Sequence, residues 1–247
     1  MARTALALQG NKTKAAGKKS TFPRVIAIDG PSAAGKSTVG TLLARSLGYP
    51  FLDTGAMYRA ITWASLNRGI DLSDEDALGE LAHSVSVTIG PPAPISIEPC
   101  TVFVDGQDVT PHLRRPEVEA AVSLVSRVPE VRRALVKIQR RLAGRRPVVM
   151  AGRDIGTVVL PKADLKVYLV ASLEERTRRR QRELAALGQR VTEAEVLRDL
   201  ARRDAIDSRR SMSPLRPAAD AIVIDSDGLT LEEVVEKVLS LAVEAAT

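Results

Sequence analysis

Gly30-Pro31-Ser32-Ala33-Ala34-Gly35-Lys36-Ser37-Thr38 carries the clearest chemistry in the chain, because it satisfies G-x-x-x-x-G-K-[ST]. Such a loop turns its backbone N–H groups toward phosphate oxygens, and the helix behind it presents its positive end to the same anion. Gly30 and Gly35 let the chain approach closely where a Cβ would obstruct it. Lys36 is placed to bridge the β- and γ-phosphates and Ser37 to help hold magnesium, so residues 30–38 are the expected ATP site. The alternative is a glycine-rich turn with no ligand. The context favours a site: Arg24–Asp29 reads as a buried strand and Lys36–Leu47 as a helix, with Val39, Leu42, Leu43 and Leu47 at helical spacing.

The acceptor of the phosphoryl group must be sought elsewhere. No N-K-x-D guanine signature is present, and the only Asn-Lys is Asn11-Lys12 near the N-terminus. A hydroxyl acceptor calls for a carboxylate base, whereas a nucleoside monophosphate is already anionic and calls for converging arginines. Arg203, Asp207 and Arg210 fall at i, i+4 and i+7, on one face of a helix predicted around Leu200–Arg210. That spacing fits a solvated ion-pair face equally well. Gly152-Arg153-Asp154 follows a buried strand, at the end where open α/β sheets bind ligands. Asp53 to Arg59 follows another strand, with Asp53 or Thr54 available as a helix N-cap. The dense run from Glu174 to Arg182 reads as a lid over a triphosphate, or else as a basic surface helix.

The elements that position these residues alternate. Strands are predicted at Arg24–Asp29, Tyr49–Leu52, Pro147–Ala151, Leu165–Val170 and Ala221–Asp225. Helices are predicted at Thr54–Arg68, Asp74–His83, Pro116–Ser126, Glu130–Leu142 and Leu231–Val243, with one long Arg-rich helical stretch between the last two strands. Val85–Ile89, Ile95–Glu98 and Thr101–Val104 are closely spaced β-type runs, followed by Asp105-Gly106. The expected fold is α/β, a P-loop three-layer architecture with a five-stranded parallel sheet and a small antiparallel insertion.

Composition removes several other classes. The chain has 247 residues, 45% hydrophobic and 27% charged, which is ordinary globular usage. No apolar run reaches the roughly 20 residues of a membrane helix. A lone cysteine, Cys100, excludes an intrachain disulfide, and His83 and His112 are too few for a Cys/His zinc cluster. Aromatics at 3% are too sparse for a single-strand nucleic-acid platform. The net charge of +6 includes +5 from Arg3, Lys12, Lys14, Lys18 and Lys19, which leaves +1 for everything after residue 20. Residues 1–22 therefore read as a basic disordered tail and 23–247 as the working domain. A cytoplasmic, monomeric enzyme with no membrane or stable nucleic-acid partner is expected.

Four stretches together resemble the bacterial cytidylate kinases: IDGPSAAGKST (28–38), LDTGAMYRA (52–60), AGRDIGTVVLP (151–161) and RRDAIDSRRSMSPLRPAADAIVIDS (202–226). The resemblance implies ATP- and magnesium-dependent phosphoryl transfer to CMP or dCMP. It implies an acceptor-binding insertion at about 54–125 and a lid at about 173–191. Arg59, Arg153 and Arg210 would hold the acceptor phosphate, Arg203 would lie by the transferring group, and Asp207 would take the sugar hydroxyls. Ser123, Arg132 and Asp154 would read cytosine, with Thr54 lining the pocket. Ser123 and Arg132 rest on the resemblance alone. Ser37 stands where some relatives have glycine, which leaves open the side chain that holds magnesium. Thr54 stands where serine is frequent and keeps the hydroxyl. Two other readings remain: a kinase of small hydroxyl compounds with Asp53 or Asp154 as base, and a P-loop regulator that binds nucleic acid through its tail and Arg run.

Overall fold

The computed structural model describes residues 22–93, 98–144 and 146–245. The expected tail, apart from Phe22, and most of the predicted strand Ile95–Glu98 lie outside the described residues. In chain order, β1 (Val25–Asp29) leads to α1 (Lys36–Leu47), β2 (Phe51–Asp53), α2 (Thr54–Asn67) and α3 (Glu75–Ser84). A hairpin follows, with β3 (Val87–Gly90), β4 (Thr101–Val104) and β5 (Gln107–Asp108), then α4 (Pro116–Arg127) and α5 (Pro129–Ala143). The chain continues through β6 (Val148–Ala151), a π-helical turn (Ile155–Val159), β7 (Leu165–Val170), α6 (Leu173–Ala186), α7 (Glu193–Arg209), β8 (Ile222–Asp225) and α8 (Leu231–Glu244).

Five of the strands form one parallel sheet in the order β2-β6-β1-β7-β8. Central β1 is covered on both faces, so Ile26, Ala27 and Ile28 are all fully buried, as an uninterrupted apolar run requires. On one face Val39 and Leu43 of α1 pack with Val234 and Val238 of α8. On the other, Val136 of α5 packs with Ile155 and Val159 of the π turn. The result is the expected three-layer α/β fold. Register aligns the strand ends: Ala151 lies opposite both Ile28 and Asp53. The segments after β1, β2 and β6 therefore leave the sheet side by side, and these are the three segments with chemistry.

The segment from α2 to α5 has its own core, in which Met57 and Ile61 of α2, Leu78 of α3, Val102 of β4, Val125 of α4 and Leu135 of α5 pack together. Its hairpin includes β5, a strand that the sequence reading did not contain. Asp105 (φ 50°) and Gly106 (φ 83°) both take positive φ, the requirement of a tight two-residue reversal, so the chain turns there and pairs Phe103 with Asp108. The start of β2 also differs from Tyr49, because the amides of Gly48 and Tyr49 still cap α1 by donating to Arg45 and Ala44 carbonyls. The long Arg-rich stretch is two helices, broken at Gly188 (φ 76°) and restarted by a capping box at Thr192 and Glu195.

Candidate functional site

The loop between β1 and α1 is shaped by backbone geometry that only a few residues tolerate. Gly30 has φ 145°, and a Cβ there would lie 2.0 Å from the Leu169 carbonyl oxygen. Gly35 caps α1 at φ 90°, and Ala33 adopts φ 59°. Lys36 Nζ donates to the Pro31 carbonyl at 2.5 Å, which folds the side chain back over the loop. Burial, then Arg153 nearby, pushes the Lys36 ammonium well below its usual pKa. A buried cation beside another cation favours the binding of an anion.

Two carboxylates fix the surroundings of this loop. Asp29 accepts the amides of Ile155 (2.8 Å) and Gly156 (2.7 Å), tying β1 to the turn after β6. Burial raises its pKa to about 6 despite those two hydrogen bonds. Asp53 caps α2 by accepting from Gly55 N and also accepts from Ser37 Oγ at 3.0 Å and Arg59 Nη2 at 3.4 Å. Burial opposes its ionisation, but Arg59, Arg114, Ser37 and Lys36 more than offset that and hold the carboxyl below its usual pKa. A hydroxyl and an ionised carboxylate beside a phosphate loop are oxygen donors of the kind magnesium takes, so Ser37 and Asp53 fit that ion. Thr54 Oγ1 donates to the Ala151 carbonyl at 2.8 Å, joining α2 to β6. Gly152 is required beside it, since a Cβ would sit 2.5 Å from that hydroxyl.

A cleft of about 620 Å³ runs from this loop into the insertion. Ser32 to Thr38 line it, and so do Thr54, Arg59, Ser123, Arg132, Arg153, Asp154, Arg203, Asp207 and Arg210. Gly30 and Pro31 are not on its wall; they shape the loop from behind. On its wall Arg132, 1% exposed, donates to Asp154 Oδ2 at 2.5 Å and to the Ser126 carbonyl at 3.1 Å, with its guanidinium 5.2 Å from the Tyr58 ring centroid. Burial opposes the charge on Arg132, but Tyr58 and Asp154 outweigh it and raise its pKa. Ser123 of α4 is buried on the same wall.

Two further carboxylates gather the remaining arginines. Asp207 Oδ2 accepts from Arg153 Nε at 3.0 Å, and Arg153 also reaches Ser32 Oγ at 3.2 Å. Arg210 lies 3.7 Å from Asp207 Oδ1. It is not within the helix as the i, i+7 spacing assumed: α7 ends at Arg209, and Arg210 has ψ 140°. Its side chain is held instead by a 2.5 Å bond to the Ser213 carbonyl, in a turn where Ser213 has φ 55°. Glu119 accepts from Arg203 at 2.9 Å and lies 3.8 Å from Arg59 Nε. Burial and Arg114 lower the pKa of Arg59, and burial and Arg132 lower that of Arg210. Both would be relieved by an incoming anion.

The Arg run lies on α6 with its members divided. Arg176 is buried and donates to the Ser32 carbonyl (3.2 Å) and Asp204 (2.6 Å). Arg179 donates to Glu175 and Ser226, Arg180 reaches Glu119, and Arg178 and Arg182 are exposed. Arg179, Arg180 and Arg182 line the cleft, whereas Arg176 lies off its wall and ties α6 to Ser32 and Asp204. Glu119 and Arg114 line the cleft but belong to no motif singled out above, and Tyr58, inside 52–60, was given no role of its own. The one sequence signal for Glu119 is an acid four residues before Ser123, on the buried face of an apolar helix.

A phosphate-type loop between a central parallel strand and its helix, facing clustered arginines across one cleft, defines a P-loop α/β protein of the small-kinase type. Comparison with known proteins gives the family. The family model described as Cytidylate kinase matches residues 26–244, and the chain belongs to that family. A cytidylate kinase of Pelotomaculum thermopropionicum is 49% identical over 90% of this chain and 96% of its own length. Those of Desulfitobacterium hafniense (50% identity; 87% of this chain, 91% of its own) and Chloroflexus aggregans (51%; 88% and 93%) are similarly related.

Proposed function

We propose that this chain transfers the γ-phosphoryl group of magnesium ATP to the phosphate of CMP or dCMP, giving ADP and the corresponding diphosphate. The observation that carries this reading is the layout of the cleft. A phosphate loop with Lys36, the Arg132–Asp154 pair, and Arg59, Arg153, Arg203 and Arg210 all line this one cleft. A planar base that offers an amine beside acceptor atoms matches a carboxylate and a guanidinium held edge to edge.

In this reading an acceptor phosphate oxygen attacks the γ-phosphorus while the bond to the β,γ-bridging oxygen breaks, and ADP leaves. The acceptor oxygen is largely deprotonated at neutral pH, so no side chain has to remove a proton. Lys36 holds the β- and γ-phosphates, Arg59, Arg153 and Arg210 hold the acceptor phosphate, and Arg203 faces the transferring group. Catalysis is then positioning and charge neutralisation. Ser37 and Asp53 would hold magnesium, which when bound supplies further neutralisation of the triphosphate. Asp207 takes the sugar hydroxyls, and Ser123 and Thr54 complete the base pocket. Residues 54–125 act as the acceptor-binding insertion and 173–191 as a lid that excludes water when both substrates are bound.

The arginines, carboxylates and phosphate loop that the reaction needs all come from one chain, and we propose that it works as a monomer. No helix among the described residues is long and apolar enough to cross a membrane. We place the protein in the cytoplasm, with ATP and CMP or dCMP as its partners. Retention on heparin should accordingly be lost when residues 1–20 are removed, because the rest carries only +1.

The test is ADP release from magnesium ATP with CMP, dCMP, UMP, AMP, GMP and shikimate as acceptors. Turnover with CMP and dCMP alone is expected. Preference for shikimate would overturn the reading and make Asp53 and Asp154 the candidate bases.

A further inference from the structure

Glu119 is an ionised carboxylate in the middle of the cleft wall, 8% exposed, on α4 of the insertion. Four guanidinium groups from four different segments converge on it. Arg203 of α7 lies at 2.9 Å and Arg180 of α6 at 3.3 Å from Oε2. Arg114, before α4, lies at 3.7 Å and Arg59 of α2 at 3.8 Å from Oε1.

Each arginine has an outer carboxylate of its own. Arg59 pairs with Asp53, Arg114 with Glu98, Arg180 with Glu183 and Arg203 with Asp199. Glu119 is what the four share. Burial works against its charge, yet Arg59, Arg203, Arg114 and Arg180 together bring its pKa down to about 2, so it is an anion at any working pH.

The contacts are also incomplete in a telling way. Glu119 Oε1, Arg59 Nε and Arg203 Nε are buried without a hydrogen-bond partner. The carboxylate satisfies the charge of the cluster but is too small to meet its donors. A tetrahedral phosphate carries more oxygens and more charge and suits the same guanidinium groups better.

We propose that Glu119 is a positioning residue whose carboxylate stands in for substrate phosphate, holding Arg59, Arg114, Arg180 and Arg203 together while no phosphate is bound. The inference rests on the phosphate-acceptor reading of the cleft. Without a central anion the four cations repel, and the insertion, α6 and α7 lose their common anchor. When a phosphate arrives, the arginines share it with Glu119 and need not be collected from solvent. Arg180 carries this link into α6, so Glu119 also joins the insertion to the proposed lid.

The test uses the full chain and inorganic phosphate, with thermal unfolding read in chloride and in phosphate. Glu119→Gln keeps the shape and removes the charge. It is expected to unfold about 10 °C below the wild type in chloride, since a buried charge cluster has lost its partner. Saturating phosphate should restore more than half of that loss, while the wild type gains much less. Glu119→Asp keeps the charge and should respond to phosphate as the wild type does. Turnover of CMP by Glu119→Gln should fall about tenfold in kcat, with KM for ATP unchanged.

Parallel phosphate responses in wild type and Glu119→Gln would overturn the proposal, and so would Glu119→Asp behaving like Glu119→Gln. If Glu119→Gln does not fold, adding Arg180→Ala removes one repelling cation and should return soluble protein with the steep phosphate response; a double variant that stays insoluble also overturns it. A wild type that ignores CMP would defeat the functional reading, while the phosphate response would still decide the role of Glu119.

Discussion

Arg132 and Asp154 meet at 2.5 Å with both side chains almost wholly buried, one from α5 and the other from the turn after β6. A helix and the turn beyond the next strand thus place a cation and an anion edge to edge on the cleft wall. The Tyr58 ring under the guanidinium and the Ser126 carbonyl beside it fix its plane. An ion pair this well supported sets orientation as well as charge.

Arg132→Ala is therefore expected to raise KM for CMP by about 100-fold, since it removes a charge-assisted contact worth about 1.5–3 kcal/mol. KM for ATP should change by less than about threefold. Stability should fall by roughly 3–5 kcal/mol, because Asp154 is left buried without its partner. Steady-state kinetics in both substrates and urea unfolding check this. Equal rises in the two KM values would remove Arg132 from the base pocket.

Lys36 predicts the opposite division between stability and rate. Its charge is buried, lies near Arg153 and has only the Pro31 carbonyl as a hydrogen-bond acceptor within the loop. Lys36→Ala should lower kcat by about 10²–10³, the usual cost of losing a preorganised donor at developing charge. The unfolding midpoint should stay level or rise, because an unfavourably placed cation has gone. Calorimetry beside a turnover assay decides the matter, and normal turnover would sink the role assigned to Lys36.

The parts of this site that were legible in the sequence are those set by local backbone demands. Residues 30–38 announce themselves because the loop needs glycine at positive φ and a lysine opening the helix. Asp53 and Arg153 were visible because each directly follows an apolar run, and strand ends in a parallel sheet share one edge. Arg210 was found for a partly wrong reason, since helical spacing does not survive the end of α7 at Arg209. Gln107–Asp108 was missed as a strand because it has only two residues, both polar, and pairs only because Asp105-Gly106 makes a tight reversal. Glu119 was invisible because its role depends on arginines from α2, the segment before α4, α6 and α7 meeting in space. No spacing along the chain records that meeting.

Asp29 gives a pH dependence of stability with a definite sign. Its carboxyl titrates near 3.8 when unfolded and at about 6 in the fold. Between these values the native state binds more protons, so its contribution is full below pH 3.8 and is lost as pH rises through 6. A shift of about two pH units corresponds to roughly 3 kcal/mol. Asp53 and Glu119 are shifted downward and act in the other direction, with stability present above their unfolded values and lost in acid. The contribution of Asp29 is isolated by comparing the wild type with Asp29→Asn in urea at pH 4 and pH 7. The stability advantage of the wild type should be about 3 kcal/mol larger at pH 4, and a constant difference would refute the assignment. Asp29→Asn should be the less stable at both pH values, because an amide oxygen can accept from only one of the Ile155 and Gly156 amides.

Asp154 should determine which pyrimidine is taken. As a carboxylate held by Arg132 it can only accept hydrogen bonds, so it suits the exocyclic amine of cytosine and repels the carbonyl that uracil presents there. An unmatched buried carboxylate costs far more than a missing methyl contact, which makes this a strong filter. Asp154→Asn places an amide at the same point, able to donate to that carbonyl. The ratio of kcat/KM for CMP to that for UMP is expected to fall by about 10²-fold or more, mostly through loss with CMP and partly through gain with UMP. Arg132 keeps a neutral acceptor in this variant, so the fold should survive for kinetic comparison. A ratio that stays within about threefold of the wild type would mean that base selection lies elsewhere in the cleft, with Ser123 and Thr54 the next residues to change.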